Sequence, residues 1–304
     1  MTHQWDPEET LEETLAIELI HEQFPELHCR SIRLLGAGWD NTAFLVDDGL
    51  IFRFPRRSIA VPLLEAEWCA LPKLAPRLSL EIPHPKWHGK PGTRYPWPFI
   101  GYRMLPGLTA CHANLSEQNR AALAGPIARF LKELHATPKE VLSGCSISGD
   151  NQSRIDFRKL IPKIELNWKE LELAGIFKGR IEMREKELRE PEGSTLVHGD
   201  FYVRHLLVDS AHQLCGVIDW GDIHLGDPAI DLAVAHSFLP ISAQGDFRNA
   251  YGGVSDETWA LARLRAIYSS QLLALYGHHA KDQDILREGV RGLEVIKKEG
   301  EGKK

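Results

Sequence analysis

The chain has 304 residues, 43% of them hydrophobic, enough for one large or two medium cores. A formal net charge of −6 suits an ordinary soluble protein and argues against a nucleic-acid partner, which wants a basic face. No apolar run approaches the ~20 residues of a membrane span, and the acidic N-terminus does not read as a signal peptide. Five cysteines, Cys29, Cys69, Cys111, Cys145 and Cys215, form no C-x-x-C pair. Their odd number and spacing lead us to expect neither structural zinc nor a disulfide framework, and a cytoplasmic, reducing setting.

In chain order, Asp6-Pro7-Glu8-Glu9 reads as a helix start, with Asp6 as cap, Pro7 at the first position and Glu9 closing a capping box. Leu11, Leu15 and Leu19 then repeat at four, giving one apolar stripe. Residues 31–55 read as strand, glycine loop, strand, hairpin and strand. The loop is Gly36-Ala37-Gly38-Trp39-Asp40-Asn41 and the hairpin turn is Asp47-Asp48-Gly49. A Gly-x-Gly loop lets backbone approach a phosphate, so Gly36 and Gly38 are candidate nucleotide contacts; a plain turn is the alternative. Asn41 stands where a third glycine would complete G-x-G-x-x-G, and Asn tolerates the left-handed conformation. In the next strand Phe52 and Phe54 share one face, Ile51 and Arg53 the other. A helix opens at Val61-Pro62-Leu63, carries Glu65 and Glu67, and should end near Leu71, ahead of Pro72.

Six prolines between Pro83 and Pro106 keep the following stretch extended, and residues 99–107 read as a strand leaving the first domain. Asn114 to His135 is a long helical pattern kinked at Pro126, with Leu123, Ile127, Phe130, Leu131 and Leu134 facing the core. Ser153 to Arg189 forms two charged helical patterns around Gly175 and Gly179. The C-terminal third is helical: Pro228 to Leu239, then Asp256 to Tyr276 capped by Ser255. That second helix has Trp259, Leu264, Ile267 and Leu272 at core spacing. A last helix follows on Leu286, Val290, Leu293 and Ile296, and the end from Lys297 is charged and frayed.

The chemistry is concentrated between Leu196 and Asp231. Short apolar strands, Leu206 to Val208 and Cys215 to Ile218 among them, alternate with His198-Gly199-Asp200, His205, Asp219-Trp220-Gly221, Asp227 and Asp231. A carboxylate at a core edge costs several kcal/mol unless it is paired or its pKa moves, so these residues need a reason. Phosphoryl transfer supplies one. It needs a carboxylate to take the acceptor hydroxyl's proton and ligands for a cation on the nucleotide phosphates. Asp200 is the candidate base, and Asp219 with His205 the candidate metal ligands.

His198-Gly199-Asp200, four residues and His205, then Asp219-Trp220-Gly221, keep the order and spacing of the H-R-D-x-x-x-x-N and D-F-G motifs of protein kinases. The set resembles the aminoglycoside phosphotransferase family of kinase-like enzymes, over roughly residues 31 to 240. His205 and Asp219-Trp220 look most like its macrolide phosphotransferase branch, and Gly226-Asp227-Pro228-Ala229-Ile230-Asp231-Leu232 like its general aminoglycoside type. The resemblance implies an α+β, two-lobed protein-kinase-like fold. A small, mostly antiparallel β lobe over residues 1–106 binds nucleotide; a larger, mainly helical lobe over residues 107–304 carries catalysis and the acceptor.

The resemblance also implies ATP or GTP as phosphate donor and Mg as cation, with Mn compatible because imidazole is the softer ligand. Arg53 falls where kinases put their phosphate-gripping Lys, with Glu67 as its partner and Glu65 as the competitor. Ile100 and Tyr102 belong to the hinge that reads the nucleotide base through backbone. Asp227 and Asp231 brace the loop, His198 is scaffold, and Asp222 and His224 lie towards the acceptor. The implied partners are a nucleotide and a small-molecule hydroxyl acceptor, on a monomer. Aminoglycoside, macrolide and metabolite all fit that acceptor. Two other readings stand beside this one. A pseudokinase draws on the departures at Arg53 and His205. A zinc hydrolase would use His198, Asp200, His205, Asp219 and His224.

Overall fold

The computed structural model describes residues 7–38, 40–150 and 153–301. It divides into two compact units: Met1–Pro76, Glu81–Leu105 and Glu140–Ile147 form the first; Arg77–Leu80, Pro106–Lys139 and Ser148–Lys304 the second.

The first unit is a sheet with two helices, α1 (Glu13–Gln23) and α2 (Val61–Leu74). Its strands are β1 (Ile32–Ala37), β2 (Asn41–Val46), β3 (Leu50–Pro55), β4 (Trp87–Gly89) and β5 (Phe99–Arg103), paired antiparallel in the order β1-β2-β3-β5-β4. Asp47 and Asp48 take φ of 48° and 52°, the two left-handed positions of a tight hairpin whose twist matches its strands. Phe52 and Phe54 enter an aromatic core with Phe44, Tyr95 and Phe99; the Phe54 and Phe99 rings stack at 4.4 Å.

Three expectations fail here. The first helix begins at Glu13, because the amides of Glu8 and Glu9 both donate to the Arg56 carbonyl and the Glu8 carboxylate accepts from Ser58; Asp6 lies outside the described residues. Helix α2 runs through Pro72 to Leu74, where burial of Leu71 and Leu74 offsets the one backbone bond the proline removes. Finally, Cys69 and Cys145, 76 residues apart, form a disulfide with Cα atoms 5.5 Å apart. No local motif announces that pair, and its presence takes the force out of the composition argument for a reducing setting.

The second unit is mainly helical. After β6 (Leu108–Thr109), α3 (Glu117–Ala122) and α4 (Ala124–His135) replace the single kinked helix. The break sits at Leu123 because Pro126 has no N–H for the Ala122 carbonyl and is tolerated only in a first turn. Next come α5 (Phe157–Leu173), β7 (Thr195–Val197), β8 (Leu206–Val208), β9 (Leu214–Val217) and β10 (His224–Gly226). Then α6 (Ala229–Leu232), α7 (Val234–Ser237), α8 (Ile241–Tyr251), α9 (Asp256–His279) and α10 (Gln283–Glu301) complete the chain. The second charged pattern, after Gly179, forms only a 3₁₀ turn at Glu185–Glu187; Ile181 is its one fully buried apolar side chain, too little to hold a helix.

Helix α9 is capped by Ser255, whose Oγ accepts from the Thr258 amide at 3.1 Å, and is buried nearly all round. It meets α5 and α10 through Leu264, Ile267, Leu160, Ile164, Leu293 and Ile296. Leu272, expected in this core, is 42% exposed, and Gln271 is buried instead. Two small antiparallel sheets, β7 with β10 and β6-β8-β9, carry the polar motifs at their strand ends.

Candidate active site

Strand β7 ends at Val197 and delivers His198-Gly199-Asp200; β9 ends at Val217 and delivers Asp219 two residues later. Gly199 has φ of +85°, and a Cβ there would stand 2.3 Å from the Asp222 carbonyl oxygen and 2.8 Å from His224 Nδ1. Only glycine fits, which explains the middle residue of His-Gly-Asp. The loop is then fixed by Asp231 from α6. Its Oδ2 accepts from the His198 amide at 2.7 Å and its Oδ1 from the Gly199 amide at 2.9 Å. His135, the last residue of α4, closes on the same carboxylate at 3.0 Å. Burial works to raise the Asp231 carboxyl, yet His135 and the amides hold it below the ordinary carboxylate range. Asp227 likewise accepts from Arg189 at 2.7 Å and from the Glu192 and Ala229 amides.

His198 is fully buried. Its Nδ1 accepts from the Asp200 amide at 3.3 Å, so Nε2 carries the proton and donates to the Ile218 carbonyl at 3.1 Å. Burial lowers its pKa to about 4, and it stays neutral against the Trp220 ring 4.7 Å away. It is scaffold for the loop.

His205 joins the two motifs. Its Nδ1 stands 2.8 Å from the Asp200 carbonyl oxygen, which can only accept, so Nδ1 carries a proton. Its Nε2 stands 3.2 Å from Asp219 Oδ2. A neutral ring would therefore aim a lone pair at a carboxylate; the contact calls for a second proton or a cation. Burial opposes that proton, but the Asp219 and Asp200 charges outweigh it and the His205 pKa is raised. The contact also suits a shared cation, because donors on adjacent corners of an octahedral Mg lie ~3 Å apart at its usual bond length. The Nδ1 bond to backbone holds the ring in the orientation and tautomer a metal ligand requires.

Asp219 takes φ of +63°, a left-handed backbone uncommon for a residue with a side chain, and 52% of that side chain is exposed. The Asp200 side chain is 37% exposed. Burial pushes its carboxyl above the ordinary range, while His205 and Arg265 pull it back.

The hydrolase ligand set does not assemble. His198 spends both ring nitrogens on backbone, and His224 Nδ1 faces the Asp222 carbonyl at 2.7 Å.

In the first unit Arg53, on β3, donates to Glu67 Oε2 on α2 at 2.5 Å, with 10% and 1% of the two side chains exposed. Glu65 meets His88 instead, at 2.9 Å. Gly36 and Gly38 are exposed; a Cβ at Gly36 would meet nothing within 4 Å, and one at Gly38 only the Asn41 carbonyl at 3.7 Å. Neither has positive φ, and Asn41 opens β2 opposite Pro55 with ordinary backbone, so its left-handed tolerance is not used. Trp39, in the same loop, lies outside the described residues. On β5, Ile100 is fully buried between Arg53 of β3 and His88 of β4, whereas Tyr102 pairs with Ile51 beyond the end of β4.

Three residues go beyond the sequence reading: His135 on Asp231, Arg154 on Asp222, and Arg265 on the Arg154 carbonyl. His135 did leave a signal, since it continues the i+4 apolar stripe of Ile127 and Leu131 with a polar ring. The two arginines left none among so many charged neighbours.

An antiparallel sheet unit, a mainly helical unit and a His-Gly-Asp loop tied to an Asp-Trp-Gly turn define a kinase-like phosphotransferase. Residues 31–267 match the profile of the phosphotransferase enzyme family known as APH, and the chain belongs to that family. Viomycin phosphotransferase of Streptomyces vinaceus is 29% identical over 235 residues, 71% of this chain and 76% of that protein. The uncharacterized protein YcbJ of Bacillus subtilis (strain 168) is 24% identical over 285 residues, 86% of this chain and 90% of that one. Among solved structures, the GDP and kanamycin complex of APH(2″)-IIIa superposes with a TM-score of 0.64 at 26% identity, covering 93% of this chain and 98% of that one. Macrolide 2′-phosphotransferase type I shares the fold, with a TM-score of 0.58 at 20% identity over 92% and 97% of the two chains.

Proposed function

We propose that this phosphotransferase moves the γ-phosphate of ATP or GTP to a hydroxyl of an antibiotic-like acceptor of the aminoglycoside or macrolide kind. The observation that carries the reading is His205, which bonds the Asp200 backbone through one ring nitrogen and meets the Asp219 carboxylate with the other. Asp200, its carboxyl raised by burial and still partly exposed, accepts the acceptor's hydroxyl proton as the new O–P bond forms and the γ-phosphate's bond to the departing nucleoside diphosphate breaks. Asp219 and His205 would hold a divalent cation, Mg or Mn, whose charge neutralises the phosphate oxygens. Arg53, held by Glu67, grips phosphate in place of the kinase Lys. Gly36 and Gly38 offer backbone to the phosphates, and Ile100 and Tyr102 carry the strand that leads to the base-reading hinge.

Relatives bound to GDP with kanamycin, and to ATP with streptomycin, support a nucleotide and an antibiotic as the two substrates. The test is transfer of labelled γ-phosphate from ATP and from GTP, with Mg and with Mn, to kanamycin, a macrolide and viomycin. Acceptor-dependent transfer to at least one is expected. Tight nucleotide binding without hydrolysis or transfer under any condition would make the chain a binding module.

A further inference from the structure

We propose that the Cys69–Cys145 disulfide is a reversible latch. A dithiol, small or carried by a protein, opens it and releases residues 143–147 from α2, while the face of α2 that meets Arg53 stays in place.

Helix α2 and residues 143–147 both belong to the first unit. At helical spacing Leu64, Glu67, Leu71 and Leu74 share one face of α2, and all four are buried. Glu67 meets Arg53 there. Cys69 and Lys73, one turn apart, lie on the opposite side. Cys69 is bonded to Cys145, and Lys73 Nζ donates to the Ser143 carbonyl at 2.7 Å. Among the described residues, that is the one hydrogen bond from 143–147 to anything outside 140–147. The amides of Ser143, Cys145 and Ile147 donate only to the carbonyls of Glu140, Leu142 and Cys145. Leu142, just ahead, is buried, but no residue of 143–147 is. The disulfide is therefore the main tie between this strap and the helix.

The bond is also within reach of a thiolate. Ser143, Gly144 and Ser146 are exposed, Cys145 is half-buried, and a Cβ at Gly144 would meet nothing within 4 Å. Accessible disulfides are the ones that exchange. One thiolate of the dithiol attacks the Cys145 sulfur, the S–S bond breaks, and Cys69 leaves as a thiolate that takes a proton. The second sulfur of the dithiol then displaces Cys145, which takes the other proton. The cystine gains two electrons and two protons, and the dithiol ends as a disulfide. A disulfide oxidant such as oxidised glutathione closes the latch again. The Arg53–Glu67 pair and the buried leucines share no atom with the disulfide, so opening it frees the strap and leaves that face packed. It also lifts a cross-link between positions 76 residues apart, which gives the unfolded chain more freedom.

The experiment compares the full chain oxidised with glutathione disulfide and the same sample reduced with dithiothreitol under native conditions. Alkylation in denaturant, read by mass spectrometry, should find thiols at Cys29, Cys111 and Cys215 before reduction and at Cys69 and Cys145 as well after it. Hydrogen exchange over 143–147 should then speed up by at least ~tenfold, while the amides of Val61–Leu74 keep their protection. The melting temperature should fall by roughly 5–10 °C and return on re-oxidation. Cys145→Ser should exchange like the reduced wild type whether or not dithiothreitol is present. If that variant fails to melt cooperatively, reduction and re-oxidation of the wild type decide. Free thiols at Cys69 and Cys145 after oxidation overturn the proposal, as does a bond that dithiothreitol opens only in denaturant. Exchange over 143–147 that reduction leaves unchanged, or loss of protection across the whole of α2, overturns it too.

Discussion

Arg53 and Glu67 meet at 2.5 Å with 10% and 1% of their side chains exposed. Asp200 and Asp219, in the other unit, keep 37% and 52% exposed and share one histidine between them. The first arrangement is closed: two desolvated, opposite charges face each other, and removing one leaves the other's charge buried and uncompensated by it. The second is open: two carboxylates lean on one imidazole, one of them on left-handed backbone. Closed pairs hold geometry, whereas open clusters present oxygens that a proton or a cation can reach. On the proposed function, that contrast gives positioning to Arg53 and Glu67, and chemistry to Asp200, His205 and Asp219.

The contrast can be broken at either end. Glu67→Gln removes the buried charge facing Arg53 and should cost roughly 3–5 kcal/mol of unfolding free energy, measured by denaturant titration. The double replacement Arg53→Met with Glu67→Leu should recover most of that stability and leave nucleotide affinity weak. Recovery of both would take Arg53 out of the nucleotide site.

Asp219→Gly should behave in the opposite way. Glycine accepts φ of +63° without strain, so thermal stability should hold or rise by about 1 kcal/mol. Turnover should fall by more than ~100-fold, because a cation ligand is gone. A less stable but active variant would show that Asp219 is structural.

The scaffold beneath the open cluster has its own pH signature. His198 is neutral in the fold, with its pKa lowered by burial to about 4 from the ~6.5 of an ordinary imidazole. The unfolded chain therefore takes up this proton first as pH falls. The stability present above pH ~6.5 is lost progressively down to about 4, by roughly 3 kcal/mol at most. Melting curves across that window should show the loss, and His198→Asn should flatten its share of it.

The smallest effect is the most specific. His205→Asn exchanges imidazole for an amide oxygen, the harder ligand. It should shift preference from Mn towards Mg by on the order of tenfold in the activating concentration. An unchanged metal preference would mean that His205 carries a proton against Asp219 and takes no part in binding the cation.

The sequence made much of this legible where chemistry is local. The spacing from Asp200 to His205 and on to Asp219 depends on short strands, and the Asp47-Asp48-Gly49 turn on backbone preference, so both can be read along the chain. Pairing of Arg53 with Glu67 could be inferred only because a family pattern ranked Glu67 over Glu65; strand and helix periodicity alone leave both open. What could not be read depends on contacts distant in sequence. The Cys69–Cys145 bond, His135 on Asp231 and Arg265 beside Arg154 join positions 76, 96 and 111 residues apart, with no motif at either end. The helix limits at Glu13, Leu74 and Leu123 depart from the sequence pattern for a related reason: neighbouring backbone and burial override local caps and prolines.

The central claim is that Asp200 receives the acceptor's proton within a correctly folded loop. The direct measurement is steady-state phosphate transfer by the wild type and by Asp200→Asn, at saturating nucleotide and acceptor, with melting temperature recorded on the same samples. The account predicts a fall of roughly 10²–10⁴ in kcat with melting temperature unchanged. Wild-type turnover in a folded Asp200→Asn protein would contradict it.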